Sequence, residues 1–414
     1  MEVLTHNNKD INSTTKSTTL DALTSFRFFA AALIVLKHSY EFFKVPSIYN
    51  IFQLTQGVSF FFVLSGFILA YNYDTELRRP WRDFYIARFA RIWPAHITAL
   101  GLLFLIVINP FGGATTTDMR VATLISNLLL VQSWVPEQGF FFSYNAVAWS
   151  LSTEVGFYLL FPLLLLRSAE TLPWKALCMS AALAVLFVAL GAYFELTYVS
   201  KTFEPSLRGL IMVNPLARLF EFSLGIFACA LYRRINHAMT APWGALEVFA
   251  LLFVGVSMWV SVDGHLIHIT TTAIMYYVRS SGSALAFFAL ILIFACSRGP
   301  IATLLARRPF IFLGEISFCL YLVHQPIIHW IAQSHALSPD SLIDLCTYWV
   351  VCLVFAYGLF ALVEKPIRHR IIVKMRCDPK NPLKLSVLLP VEGEIPAEAH
   401  RLAQDEGILK ETRQ

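Results

Sequence analysis

Residues 20–43 read LDALTSFRFFAAALIVLKHSYEFF. A bilayer-spanning helix needs about 20 predominantly apolar residues, and this stretch supplies them in one run. Its apolar residues do not alternate, which sets it apart from a strand of a membrane barrel. The same reading repeats near residues 52–73, 92–110, 147–168, 174–194, 214–234, 242–261, 283–298, 310–333 and 345–365. Together these runs predict an all-α polytopic membrane bundle of about ten transmembrane helices. A further run, 121–133, is too short to span and is expected to be interfacial or re-entrant.

Composition points the same way. Of the 414 residues, 57% are hydrophobic and 14% charged, against about 45–50% and 25% in an ordinary soluble protein. A soluble enzyme, a disordered chain and a secreted disulfide scaffold are all excluded. The seven cysteines include no C-x-x-C pair, and most lie inside apolar runs, where a thiol packs as a small hydrophobe. Residues 1–19 are polar and lack a signal-peptide pattern. They are expected to form a flexible cytoplasmic tail, with 20–370 the transmembrane domain and 371–414 a second cytoplasmic tail.

Basic residues set the expected orientation. With the first tail cytoplasmic, 24 of the 32 Lys and Arg residues fall on the cytoplasmic side. Lys44, Arg120, Lys201, Arg208 and Arg279 fall on the other, and Arg27, Lys37 and Arg218 within spans. This is the positive-inside bias, so both termini are expected to be cytoplasmic. The net charge of +5 reflects that placement, and no nucleic-acid partner is implied.

A charge in mid-membrane costs at least about 2.5–3.5 kcal/mol on insertion scales, so each one asks for a role. Arg27 and His38 are eleven residues apart, which returns them to within about 20° of one helix face at an axial offset of about 16 Å. That geometry suits the two ends of a long anionic ligand; the plainer reading is a snorkelling arginine and a packed histidine. Glu154, in WSLSTE at 149–154, lies about two turns into the fourth span by helix pitch, at the depth of His38. His324, in YLVHQP at 321–326, falls in the same half of the ninth. A buried carboxylate needs a partner, and an imidazole would serve. In RRPWRDFYIARFARIWP, residues 78–94, Arg88 and Arg91 share a helix face among interfacial aromatics. Paired guanidinium groups match phosphate geometry, although a headgroup anchor would look the same. His265 and His268 lack a third ligand, so no metal is expected.

Taken in order, these pieces resemble acyltransferase family 3, integral membrane proteins that O-acylate bacterial surface polysaccharides and other extracytoplasmic acceptors. The resemblance runs over about residues 20–370 and rests on Arg27-x10-His38, Phe61-Phe62-Val63-Leu64-Ser65-Gly66-Phe67, Arg88-x-x-Arg91-x-x-Pro94, Trp149-Ser150-Leu151-Ser152-x-Glu154-x-x-Phe157-Tyr158, Tyr321-Leu322-x-His324 and Glu364-Lys365-Pro366. Phe28-Phe29 stands where the family usually has Gly-Leu, and Lys37 precedes His38. The resemblance implies an inner-membrane O-acyltransferase, specifically an O-acetyltransferase. No cofactor would be permanently bound; acetyl-CoA or another acyl-CoA would be the donor and a carbohydrate such as O-antigen, capsule or exopolysaccharide the acceptor. Membrane lipid and polysaccharide-assembly proteins would be its partners. His38 would act as general base or as nucleophile, with Glu154 orienting its ring. Arg27, Arg88 and Arg91 would hold the donor, and Ser152, Tyr158 and His324 would bind substrate. A secondary transporter would use the same residue types as a proton relay, but it predicts matching broken spans in two halves; no such repeat is visible.

Overall fold

The computed structural model of the chain describes residues 20–40, 42–43, 51–73, 80–108, 110, 116–165, 172–235, 241–262, 272–296 and 298–376. The helices in chain order are α1 (Asp21–Tyr40), α2 (Gly57–Asn72), α3 (Trp81–Ile106), α4 (Thr117–Leu128), α5 (Gln138–Phe141), α6 (Trp149–Leu165), α7 (Leu172–Tyr193) and α8 (Leu219–Arg234). They continue as α9 (Trp243–Val260), α10 (Thr272–Ser281), α11 (Ala284–Ala295), α12 (Pro300–Leu305), α13 (Arg308–Ser334), α14 (Leu342–Leu359) and α15 (Lys365–Arg376). No β-strand forms among the described residues, whose one isolated bridge joins Glu137 to Pro205. Nine of the helical stretches are long and apolar enough to cross a membrane. The expected sixth span is α8, only 16 residues long, entered through a π-helical turn at Arg208–Val213. The polytopic helical bundle expected from sequence is therefore the fold, and residues 20–375 form one compact unit.

Three boundaries differ from the sequence reading. The third span begins at Trp81, directly after Pro80, so Arg88 and Arg91 sit on the same continuous helix as the apolar run that starts at 92. Proline just ahead of a helix costs it no hydrogen bond, and nothing interrupts the helix before the apolar run. The short eighth span is the second half of Thr272–Ala295; α10 escapes an apolar scan because it carries Arg279, Ser280 and Ser281. The last span, Leu342–Val373, runs through a π-helical turn at Phe360–Glu364 into α15 instead of stopping at 365. The expected short run at 121–133 is α4 followed by a 3-10 turn at Gln132–Trp134. Residues 1–19, those from 377 onward, and His265 and His268 lie outside the described residues.

Two helix pairs pack most closely, α2 on α8 and α1 on α13. Small residues make both seams possible. A Cβ on Gly66 would strike the carbonyl of Phe222, one on Gly225 that of Val63, and one on Gly314 that of Thr24. Buried polar groups then tie the pairs to their neighbours. Arg218 grips Glu221 with two guanidinium nitrogens, at 2.5 and 2.7 Å, and also donates to Ser59 and to the Met212 and Ser280 carbonyls. The buried Glu247 carboxylate of α9 accepts the Ile301 and Ala302 amides at the start of α12, and Gly299 leaves room for it.

Candidate active site

The seam between α1 and α13 begins where Gly314 meets the Thr24 carbonyl, beside the end of α12, whose Leu305 carbonyl accepts from Ser25 at 2.7 Å. Ten residues beyond Gly314, the seam brings His324 to His38. Nδ1 of His38 lies 2.9 Å from Nε2 of His324. The rings are parallel to within 6°, with centroids 5.2 Å apart. Nδ1 of His324 faces the Leu320 carbonyl at 3.3 Å. His324 is fully buried, whereas His38 is half-buried. The segment ahead of α6 clasps this part of α13: Asn145 donates to the Leu322 carbonyl, the Val147 amide to Gln325, and Tyr321 to the Val147 carbonyl.

Glu154 does not take the place expected beside His38. Its Oε1 accepts from Ser65 at 2.9 Å and from Tyr158, one turn along α6, at 2.5 Å. The partner of His38 is an imidazole from α13 instead, because α1 packs on α13 rather than on α6. Ser65 is a site residue that the reading of single motifs missed, although the Phe61–Phe67 signature contains it. Tyr158 is buried, with its hydroxyl committed to Glu154. Ser152 is fully buried and pairs with Ser133, whose amide it accepts at 3.1 Å and whose hydroxyl lies at 2.7 Å. Ser152 and Tyr158 thus make contacts within the protein, and His324 stands against His38.

The arginines expected to act together do converge. Arg27 lies within electrostatic reach of Arg91, Glu364, Glu154 and Arg368, which come from α3, the turn into α15, α6 and α15 in that order. Arg88 stands over the Tyr158 ring, with Cζ 5.9 Å from its centroid. None of Arg27, Arg88 and Arg91 forms an ion pair or hydrogen bond with another described residue, and Nε of Arg88 is buried without a partner. Three half-buried guanidinium groups with no ion pair or hydrogen bond among the described residues suit an anion with several charged oxygens. Glu364, buried and accepting from the Cys319 thiol at 3.1 Å, is a second acidic neighbour that sequence reasoning passed over. Its signal was present in Glu364-Lys365-Pro366. One helix, α1, thus carries a cation near its start and an imidazole near its end, separated by about 16 Å along the axis.

Comparison with known proteins adds a family to this geometry. The sequence pattern of an acyltransferase domain matches residues 20–364. The chain is 29% identical over 342 residues to the acyltransferase MdmB of Streptomyces mycarofaciens, covering 75% of this chain and 79% of the relative. It is 25% identical over 341 residues to YrhL of Bacillus subtilis, provisionally named a peptidoglycan O-acetyltransferase, covering 75% of this chain and 50% of that protein. It is 23% identical over 326 residues to nodulation protein 10 of Rhizobium leguminosarum, covering 73% and 81%. No solved structure matches.

Proposed function

The chain belongs to acyltransferase family 3 and transfers acyl groups, and from that premise we propose that it carries an acetyl group from acetyl-CoA, at the cytoplasmic face of a bacterial inner membrane, to a hydroxyl of a carbohydrate on the far side. The observation that carries this reading is the arrangement along α1: arginines from α1 and α3 without an ion pair among the described residues toward one end, and the His38–His324 pair toward the other. Arg27, Arg88 and Arg91 take the phosphates of the donor. The pantetheine arm follows α1 inward, and the offset of about 16 Å between Arg27 and His38 is of the right order for it. The relative named for peptidoglycan O-acetyl transfer supports a sugar hydroxyl as acceptor.

In the chemical step His38 removes the proton of the acceptor hydroxyl as its oxygen attacks the thioester carbonyl. The C–S bond breaks, the new C–O bond remains, and the imidazolium returns the proton to the departing thiolate. Glu154, held by Ser65 and Tyr158, places a negative charge within reach of Arg27 and sets the charge balance of the donor end. The test uses the purified full chain. His38→Ala is expected to lower acetyl transfer by about 10²–10⁴-fold, the usual size of a general acid–base contribution, while acetyl-CoA binding persists because the three arginines are untouched. Transfer that survives at more than about a tenth of wild type would remove His38 from the chemistry, well short of that range. Acid-quench trapping separates the routes: an acetyl label on the protein that disappears in His38→Ala would make His38 a nucleophile instead of a base.

A further inference from the structure

A neutral imidazole has one N–H and one lone pair, and the bond made by one nitrogen dictates what the other can do. A carbonyl oxygen only accepts. Nδ1 of His324 faces the Leu320 carbonyl, four residues back on the same helix, at 3.3 Å. That nitrogen therefore carries the proton, and Nε2 of His324 carries the lone pair. Nε2 lies 2.9 Å from Nδ1 of His38, so Nδ1 of His38 must be the donor. The lone pair of His38 is then on Nε2. The opposite assignment sets two lone pairs against each other within the seam, or turns a lone pair of His324 onto the Leu320 carbonyl inside the protein.

Ring geometry agrees. The centroid separation of 5.2 Å is the N···N distance plus the two ring radii, and the planes are parallel within 6°. The imidazoles are joined edge to edge in one plane, with the N–H pointing along the line between them. Face-to-face stacking would bring the centroids closer. His324 is fully buried. The ionisable groups that bear on the pair are Lys37 and His329, with no carboxylate among those acting on either ring.

We infer that His324 is a positioning residue: it relays the Leu320 carbonyl to His38 and fixes Nε2 of His38 as the reactive nitrogen. This rests on the reading of His38 as the base or nucleophile, since both routes need a lone pair on a defined nitrogen. It gives His324 the orienting task that a carboxylate performs in a hydrolase triad, discharged here by a neutral ring. When His38 takes the acceptor proton on Nε2, its Nδ1–H still donates to His324, and His324 stays neutral.

The test joins a spectroscopic readout to turnover. In full-length protein labelled with 15N-histidine and held in lipid nanodiscs at mildly alkaline pH, the His38 signals, assigned by their loss in His38→Gln, are expected to show Nδ1 protonated and Nε2 bare. His324→Phe fills the space without an acceptor; it should scramble that tautomer and lower kcat on the order of 10²-fold with the acetyl-CoA KM unchanged. His324→Gln offers an amide oxygen to Nδ1–H and should regain much of both. A protonated Nε2 in the wild type overturns the inference, and so does a His324→Phe protein turning over within about threefold of wild type, far from a lost base contribution. Equal loss in the Phe and Gln variants with the His38 tautomer intact would reduce His324 to packing. If His324→Phe fails to fold, the wild-type tautomer alone decides. Survival of transfer in His38→Ala would sink the reading of His38 itself, whatever its tautomer.

Discussion

Arg88 and Ser152 stand near the same carboxylate-bearing helix and carry opposite consequences. Arg88 has a buried Nε with no partner, stands over the Tyr158 ring, and forms no ion pair or hydrogen bond with another described residue. Arg88→Ala is therefore expected to raise the KM for acetyl-CoA while leaving kcat near wild type, the pattern of lost ground-state binding. Arg88→Lys should recover only part, because an ammonium lacks the planar fork. Ser152 is buried and satisfied within the fold by Ser133. Ser152→Ala strands the Ser133 amide, which costs about 1–3 kcal/mol, so it should lower the unfolding temperature and spare the turnover of the folded fraction. Donor titrations and thermal unfolding on the two variants check both halves. A donor KM unmoved by Arg88→Ala would return that residue to a headgroup anchor.

At the scale of helices, the contact between α1 and α13 fixes the His38–His324 pair. Gly314 is the point of closest approach, where a Cβ would meet the Thr24 carbonyl and the Ser25 amide. Backbone on that side has no freedom to yield, so Gly314→Ala must part the two helices. The N···N distance of 2.9 Å tolerates little of that. Gly314→Ala is expected to depress kcat steeply and, because Thr24 and Ser25 lie within a turn of Arg27, to raise the donor KM as well. Gly101 of α3 is the control: nothing lies within 4 Å of its added Cβ. There Ala should keep activity and add up to about 1 kcal/mol of stability through helix propensity. Steady-state kinetics on the two glycine variants separate a packing effect at one seam from a general effect of substituting helical glycine.

For the whole molecule, orientation decides which substrate meets which end of α1. The basic residues predict a cytoplasmic start to α1, placing Arg27, Arg88 and Arg91 toward the donor and His38 in the outer half. Topology reporters fused near Pro136 and Lys201 should report the extracytoplasmic side, and one at Arg233 the cytoplasm. A cytoplasmic signal at either of the first two would invert the path proposed for the acyl group. Rigidity at this scale comes from the buried Arg218–Glu221 pair, which joins α8 to α2 and, through the Ser280 carbonyl, to α10. Both charges sit in the interior with every strong donor on Arg218 answered, as a buried pair requires. The half-buried arginines of the candidate site have no such partners among the described residues.

The sequence by itself determined the membrane bundle, nearly all of its spans, the Arg27–His38 spacing and the family. Each of these is local. A spanning helix is about 20 consecutive apolar residues, and a charge inside one is conspicuous because lipid makes it costly. Spans that depend on neighbours were harder to read: α10 is polar where the Ser280 carbonyl meets Arg218, and α8 is short because a π-helical turn precedes it. Only the tertiary structure decided who faces whom. His38 meets His324 from 286 residues away, and Glu154 meets Ser65 and Tyr158 instead. A side chain turns by about 100° with each residue along a helix, so equal depth in the membrane leaves the direction of every group open. Close approach at Gly314 and Gly66 sets which helices touch and at what rotation, and that packing assigns the partners.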